Sequence, residues 1–258
     1  MKQFWEIEDI PKEDVKSFEK AEAEKSFDTT VTRTKEGRYQ VQLPLNENIQ
    51  VLHSNRNQAL RQFSQLERRL DKNLTLKELY LTVFREYLQL GIIERVPANQ
   101  LFAPSIPKYY MPHHCVIREN ALSTKVRPVF NASSVTASGV SLNDCLHVGP
   151  IVQPLLISIL WRFRMHKYAL TCDIVKMYLQ VELHPSHRDL QRFVIRLDNE
   201  IEDFRFTRVC FGVASSPFLA TRVLMQLAED EGNRYPAAAK VIRENTYPSK
   251  HFLTIVGT

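Results

Sequence analysis

Three observations in the sequence predict an α+β fold. Two adjacent stretches, 56–71 and 75–90, carry apolar residues at spacings of three and four, the repeat of a helix buried along one face. Several short runs, among them 38–45, 113–120 and 125–133, have strand composition and are bounded by polar turn residues. The strands form antiparallel-looking groups with the helices segregated from them, rather than a regular βαβ alternation.

Taken in order, residues 1–36 are polar and charge-rich, with Phe4, Trp5 and Ile7 as the only early apolar cluster, and read as a partly ordered leader. Residues 38–45, RYQVQLPL, alternate as an edge strand does, and Pro44 ends it. Leu60, Phe63, Leu66 and Leu70 define the first helix face. The second helix puts Leu76, Leu79, Val83, Tyr87 and Leu90 on one face, with Thr75 as N-cap, Glu78 at the capping-box position and Gly91 at the C-terminal end. A Pro-rich extended stretch, Pro97 to Pro112, follows. HHCVIREN and KVRPVFNAS are short strands joined by a polar turn. Residues 150–167 form a helix opened by Pro154 and closed by Arg162, Arg164, His166 and Lys167. YALTCDIVKMYLQVEL is a strand running into a turn, and QRFVIRL and FRFTRVCF form a hairpin. Pro217 starts a helix carrying Phe218, Val223, Leu224 and Leu227, and residues 236–244 form the last one.

Composition excludes several functions. The chain of 258 residues has only 7 Gly, and the closest two, Gly139 and Gly149, are ten residues apart. Phosphate loops built on paired glycines need them within about five residues of each other. A Rossmann dehydrogenase, a P-loop NTPase and a protein kinase are thereby excluded. Residues 1–24 hold 4 Lys and 8 acidic residues, and the remaining chain carries 30 basic against 21 acidic ones, a net +9. A basic body behind an acidic leader suits a nucleic-acid surface. The four Cys are scattered at 115, 145, 172 and 210, with no C-x-x-C pair, which points to a reducing compartment and a cytoplasmic location. His113 and Cys115 share one strand face, yet no second ligand pair at zinc spacing lies nearby. MKQFWEIEDI lacks the apolar core of a signal peptide, and the most apolar run, Leu155 to Trp161, is too short to span a bilayer.

Four features could carry chemistry. Asp173 ends an apolar strand, where it either caps the next turn or ligates a hard metal ion such as magnesium. Tyr178 either belongs to the core or walls a sugar pocket. Residues 210–218, CFGVASSPF, form a strand–helix connection, or a compact turn that lets a base pair or template approach the backbone. Lys125 and Arg127 lie on one strand face, either solvated or gripping phosphates.

The order of these features resembles the fingers and palm of a reverse transcriptase. Longer phrases narrow the resemblance: PHHCVIREN, KVRPVFNASS, SGVSLNDCLHVGP, RFRMHKYALTCDIVKMYLQVELHP, DLQRF, SPFLATR and QLAEDEG, with the leading FWEIE and the SQLERRL helix. Together they resemble the polyprotein of a BEL/Pao-type LTR retrotransposon, over nearly the whole chain to about residue 247. The resemblance implies a right-hand polymerase that performs two-metal nucleotidyl transfer with Mg²⁺, on an RNA or DNA primer–template and dNTPs. It implies an upstream protease, a downstream RNase H and integrase in the intact polyprotein, and a cytoplasmic virus-like particle. By position, Asp173 is the first catalytic metal ligand and the carbonyl of Ile174 an accessory one. Tyr178 is the steric gate against a ribose 2′-OH. Arg127, with Lys125 beside it, lies against the triphosphate. Phe211 and Gly212 support the nucleotide, and Ser216 and Pro217 the template and primer. Asn131 departs from the Asp that the family often has.

The large departure follows Tyr247. The family's Tyr-x-Asp-Asp motif reads here Tyr247-Pro248-Ser249-Lys250, and no Asp or Glu occurs after Glu244. Two of three metal ligands are missing, as are the rest of the palm, the thumb and the RNase H region. The abrupt switch implies a frameshift, a misplaced splice junction or decay. The expected organisation is an acidic leader and edge strand over 1–50, a helical segment over 51–98, fingers and partial palm over 99–247, and an aberrant tail over 248–258. The tail is expected to lie outside the fold, leaving the Asp173 strand an unpaired edge. The expected function is a catalytically incompetent reverse transcriptase-like domain. The alternatives are a non-catalytic nucleic-acid-binding remnant and a poorly folding fragment.

Overall fold

The computed structural model describes residues 14–102, 107–117, 126–165, 168–247 and 250–255. In chain order the elements are α1 (Asp14–Thr30), β1 (Thr32–Arg33), β2 (Tyr39–Val41), α2 (Arg56–Leu70), α3 (Leu74–Gln89), β3 (Ile93–Arg95), the one-turn α4 (Ala98–Leu101), β4 (His113–Ile117), β5 (Val126–Phe130), α5 (Leu156–Arg164), β6 (Tyr168–Asp173), β7 (Glu182–Leu183), β8 (Arg192–Arg196), β9 (Ile201–Phe206), α6 (Ser216–Asp230), α7 (Pro236–Asn245), β10 (Thr246–Tyr247) and β11 (Lys250–Ile255). The fold is mixed α+β, with helices packed on small sheets. Among the described residues no helix is long and apolar enough to cross a membrane.

Most of the described part of the expected leader, residues 14–36, is helix. α1 has no continuous apolar stripe, so its periodicity is faint, but Ala23 and Phe27, one turn apart, are fully buried. Phe27 meets Phe218 of α6 edge-on at 6.3 Å, and the Arg222 guanidinium lies 4.7 Å from the Phe27 ring centre. Arg222 also bonds Glu24 and Asp28, each at 3.1 Å. The strand expected at an edge is the middle one of its sheet: β2 pairs antiparallel with β1 and parallel with β7. Its alternation reflects a core below and half-cover above, which a short interior strand shares with an edge strand.

α2 forms where expected and buries Ala59, Phe63, Leu66 and Leu70, with Leu60 at the margin. α3 differs in both cap and face. Asn73, not Thr75, is the N-cap, accepting the Leu76 N–H at 3.0 Å. Glu78 instead bonds Arg85 at 2.5 Å. The buried face is Tyr80, Phe84 and Tyr87, while Leu79 and Leu90 are exposed, because the aromatic residues win the core side. Gly91 does end the helix, in the left-handed region at φ 64°. Its N–H reaches Leu88 O at 3.1 Å and the Ile92 N–H reaches Tyr87 O at 2.9 Å, the paired bonds of a Schellman motif. The Pro-rich stretch contains α4, and α5 starts at Leu156 rather than at residue 150.

The core centres on His113. Its ring lies among Phe63, Phe84, Phe130 and Phe193, at centroid distances of 5.3–5.7 Å. Nε2 donates to Val194 O at 2.9 Å and Nδ1 accepts from Tyr80 Oη at 2.6 Å, so both nitrogens are used in the neutral form. Burial drives its pKa down to about 4. Arg192, with no exposed surface, bonds Asp189 at 2.9 Å and Tyr110 Oη at 3.1 Å, and Arg205 reaches the same Asp189 oxygen at 2.8 Å. Burial pushes the Asp189 carboxyl up, but bonds from the two guanidiniums outweigh it and hold its pKa below the usual range.

The last strand overturns an expectation. Residues 250–255 of the tail are part of the fold: β11 pairs antiparallel with β6 along all six residues and with β10 on its other side. KHFLTI is a strand-forming sequence, with Phe, Leu, Thr and Ile in succession. The Asp173 strand therefore has a full partner.

Candidate active site

Asp173 is the last residue of β6 and is exposed to solvent. Its register partner in β11 is Lys250, and the partner of Lys250 in β10 is Tyr247. Cross-strand partners lie on one sheet face. The register row through Asp173 therefore runs Asp173, Lys250, Tyr247; of the two positions where the resemblance places an aspartate, Lys250 stands in this row and Ser249 lies outside the described residues.

After β6 the chain passes Ile174, which is half-buried, and turns at Lys176, the one non-glycine with positive φ among the described residues (53°). This left-handed backbone is held by side chains on both sides. Lys176 ion-pairs with Glu86 and lies 5.6 Å from the Tyr87 ring centre, and Gln180 donates to Val175 O at 2.8 Å. The turn leads into a 3₁₀ helix, Met177–Gln180, that buries Met177 and Leu179 and leaves Tyr178 half-buried. Burial raises the Tyr178 phenol pKa.

The second segment is the turn between β9 and α6. Gly212 adopts φ 87°, and a Cβ there would collide with the backbone oxygen of Phe130 at the end of β5. The Phe211 ring lies 5.8 Å from that of Phe130. Ser216 is buried, its hydroxyl donating to Cys210 O at 2.5 Å, so its side chain braces the turn from inside. Pro217 is exposed at the first turn of α6. Asn143 binds the turn from the side: its Oδ1 accepts the Ala214 N–H at 2.8 Å, and its Nδ2 donates to Ser133 Oγ at 2.8 Å and Gly212 O at 3.3 Å.

Arg127 is exposed on β5, opposite Val116. Lys125 lies outside the described residues. Burial drives the Tyr87 phenol pKa up, Cys210 and Glu86 push the same way, and Arg127 pulls it back. The Lys176 ammonium lies over the Tyr87 ring. Sequence reasoning missed Tyr87, Lys176 and Asn143 in these roles. The turn that Asn143 binds is 69 residues away and the Glu86 partner of Lys176 is 90 away, so no local spacing signals them.

Asp173 is the sole carboxylate of β6, and its register partner is a lysine. Among the described residues no group of three His, Cys, Asp or Glu could hold a metal. His113, offered by the sequence as a possible ligand, has both nitrogens engaged in the core.

A cleft of about 980 Å³ lies elsewhere, lined by Asn57, Gln58, Arg61, Gln62 and Gln65 of α2 and by the exposed Phe102. None of the sequence-predicted site residues lines it.

This arrangement of helices and small sheets recurs in viral polymerases. Over 72% of this chain and 20% of the other, the fold superimposes on a selenomethionine-labelled CSH mutant of the prototype foamy virus protease–reverse transcriptase, at 16% identity and a TM-score of 0.52. The native form of that enzyme gives a TM-score of 0.50 at 16% identity, over 70% of this chain and 20% of that one. The chain has a reverse transcriptase-like fold, and it spans about a fifth of the length of these structures. No protein-family model and no curated protein matches the sequence.

Proposed function

We propose that this chain is a reverse transcriptase-like domain derived from a BEL/Pao-type retrotransposon, one that binds nucleic acid and does not extend a primer. One observation carries the second half of that reading: the register partner of Asp173 is Lys250, in a strand with no carboxylate. A cation opposite the first aspartate disfavours a divalent ion there, and two-metal transfer needs two ions roughly 3.5–4 Å apart.

Binding is supported by charge and surface. The chain beyond residue 24 carries a net +9, and α2 alone has four Arg and one Glu. The α2 cleft offers amides, a guanidinium and an exposed phenyl ring, a set that contacts phosphates and stacks on bases. Arg127, exposed on β5, adds a second guanidinium able to meet a phosphate.

The test combines two assays on the purified chain. Fluorescence anisotropy with a labelled primer–template is expected to give binding that weakens steeply as salt rises, with little sequence preference. Primer extension with Mg²⁺ or Mn²⁺ is expected to give no product. Incorporation that disappears in Asp173→Ala would refute the inactive reading, and no retention of duplex at low salt would refute the binding one. For the origin, the nucleotide sequence beyond the Tyr247 codon is expected to encode Val-Asp-Asp in another frame.

A further inference from the structure

The α2 cleft has a construction of its own, and none of the residues that the resemblance assigns to metal, nucleotide, template or primer lines it. Three cations do, Arg56, Arg61 and Lys108, and no Asp or Glu among the described residues joins them. The walls are fixed from within. Asn55, buried just before α2, accepts the Tyr110 N–H at 2.7 Å and donates to Tyr110 O at 2.8 Å. Gln58 donates to Ser134 Oγ at 3.1 Å. Arg56 is held at Nε by both oxygens of the buried Asp203, at 2.8 and 3.1 Å, so its guanidinium is in place before any anion arrives.

A second wall is the end of α4. Arg192, from the core, donates to Gln100 O at 2.8 Å and to Leu101 O at 3.3 Å, carbonyls that a helix end leaves open. Arg205 donates to the Gln100 side chain at 2.8 Å. These bonds fix the backbone that carries Phe102, whose side chain stands in solvent, 79% exposed. An aromatic ring held in solvent beside three cations is the combination that binds single-stranded nucleic acid, with phosphates on the cations and a base on the ring. Charge by itself would suit a duplex equally well. The ring selects the unpaired strand, because bases in a duplex are stacked on each other and offer no free face.

We infer that the cleft between α2 and α4 is a single-strand site, in which an unpaired base stacks on Phe102 and the flanking phosphates lie on Arg56 and Arg61. The inference rests on the nucleic-acid-binding reading above and specifies the state of the strand that is bound and the residues that select it.

The experiment uses the whole chain and fluorescence anisotropy with probes of one sequence: a single strand, a blunt duplex, and that duplex with a single-stranded overhang. The single strand and the overhang are expected to bind about tenfold tighter than the blunt duplex. Phe102→Ala, at a solvent-facing position, is expected to weaken the single strand about tenfold and to erase most of its advantage over the duplex, with circular dichroism unchanged. Phe102→Trp is expected to keep the preference and to show emission quenched by the single strand beyond any change in the parent chain, a signal that loss of folding does not imitate. Arg61→Gln is expected to lower the salt slope for the single strand by about 0.7. Equal affinity for single strand and blunt duplex, or an equal loss on both in Phe102→Ala, overturns the single-strand site and leaves the general binding reading standing. Retention of neither probe at low salt overturns both. Displacement of the strand by polyglutamate as readily as by a second single strand makes the cleft a general anion site and overturns the inference.

Discussion

Single residues carry much of what distinguishes this chain. Gly212 has both a left-handed backbone and no room for a Cβ beneath the Phe130 carbonyl. Gly212→Ala is expected to cost about 2 kcal/mol or more, read as a lowered urea midpoint. The sequence pointed to this glycine through its turn-then-Pro context, and the reason it must be glycine lies 82 residues away, at Phe130. His113 makes a prediction about pH. Its folded pKa, about 4, lies below the unfolded value near 6.5, so the unfolded chain takes up the proton first. Its contribution, about 3 kcal/mol, is complete above pH 6.5 and is lost as pH falls toward 4. His187 acts in the same direction, since burial and His184 also drive it to about 4 and its Nδ1 must stay bare to accept the Leu43 N–H. The urea midpoint should fall between pH 7 and pH 5. His113→Phe, weaker at pH 7 because Tyr80 loses its acceptor, should show a shallower fall; an unchanged slope would rule out this histidine as the source.

At the scale of elements, periodicity located helices well and their boundaries and faces less well. α2, α6 and α7 were legible from spacing and from Pro at the helix start, and so was the existence of the β8–β9 hairpin, although β9 starts at Ile201 and ends at Phe206 rather than running over 204–211. α3 shows where the reading slipped. A stripe chosen by counting leucines sits beside the true one, because Tyr80 and Phe84 complete the aromatic cluster around His113. The cap moved for a related reason, since an Asn two residues earlier reaches the same orphan N–H groups. Asn73→Ala is expected to destabilise by about 1 kcal/mol and Thr75→Ala to have little effect, measured by thermal unfolding. Equal losses would restore Thr75 as the cap. α1 was not legible, because Ala23 and Phe27, the two buried residues among the described positions 18–30, leave little periodic signal. β11 was misjudged on grounds of family pattern, although its composition alone reads as strand.

At the scale of the whole molecule, the fold is closed by contacts between its beginning and its end. α1 lies on α6 through Phe27, Glu24 and Asp28, Arg33 bonds Glu231 at 2.6 Å, and Tyr39 bonds Asp230. Phe27→Ala is expected to cost about 3 kcal/mol and to preserve a single unfolding transition. A new early transition would show that α1 unfolds by itself. No window along the sequence could reveal this arrangement, since its partners are 191 to 198 residues apart. The same separation sets a schedule during synthesis. At about 5–20 residues per second, a ribosome that has released Glu24 needs roughly 10–40 s before Arg222 emerges. Through that interval Phe27 lacks its Phe218 partner, and α1 cannot complete its packing until α6 has been made.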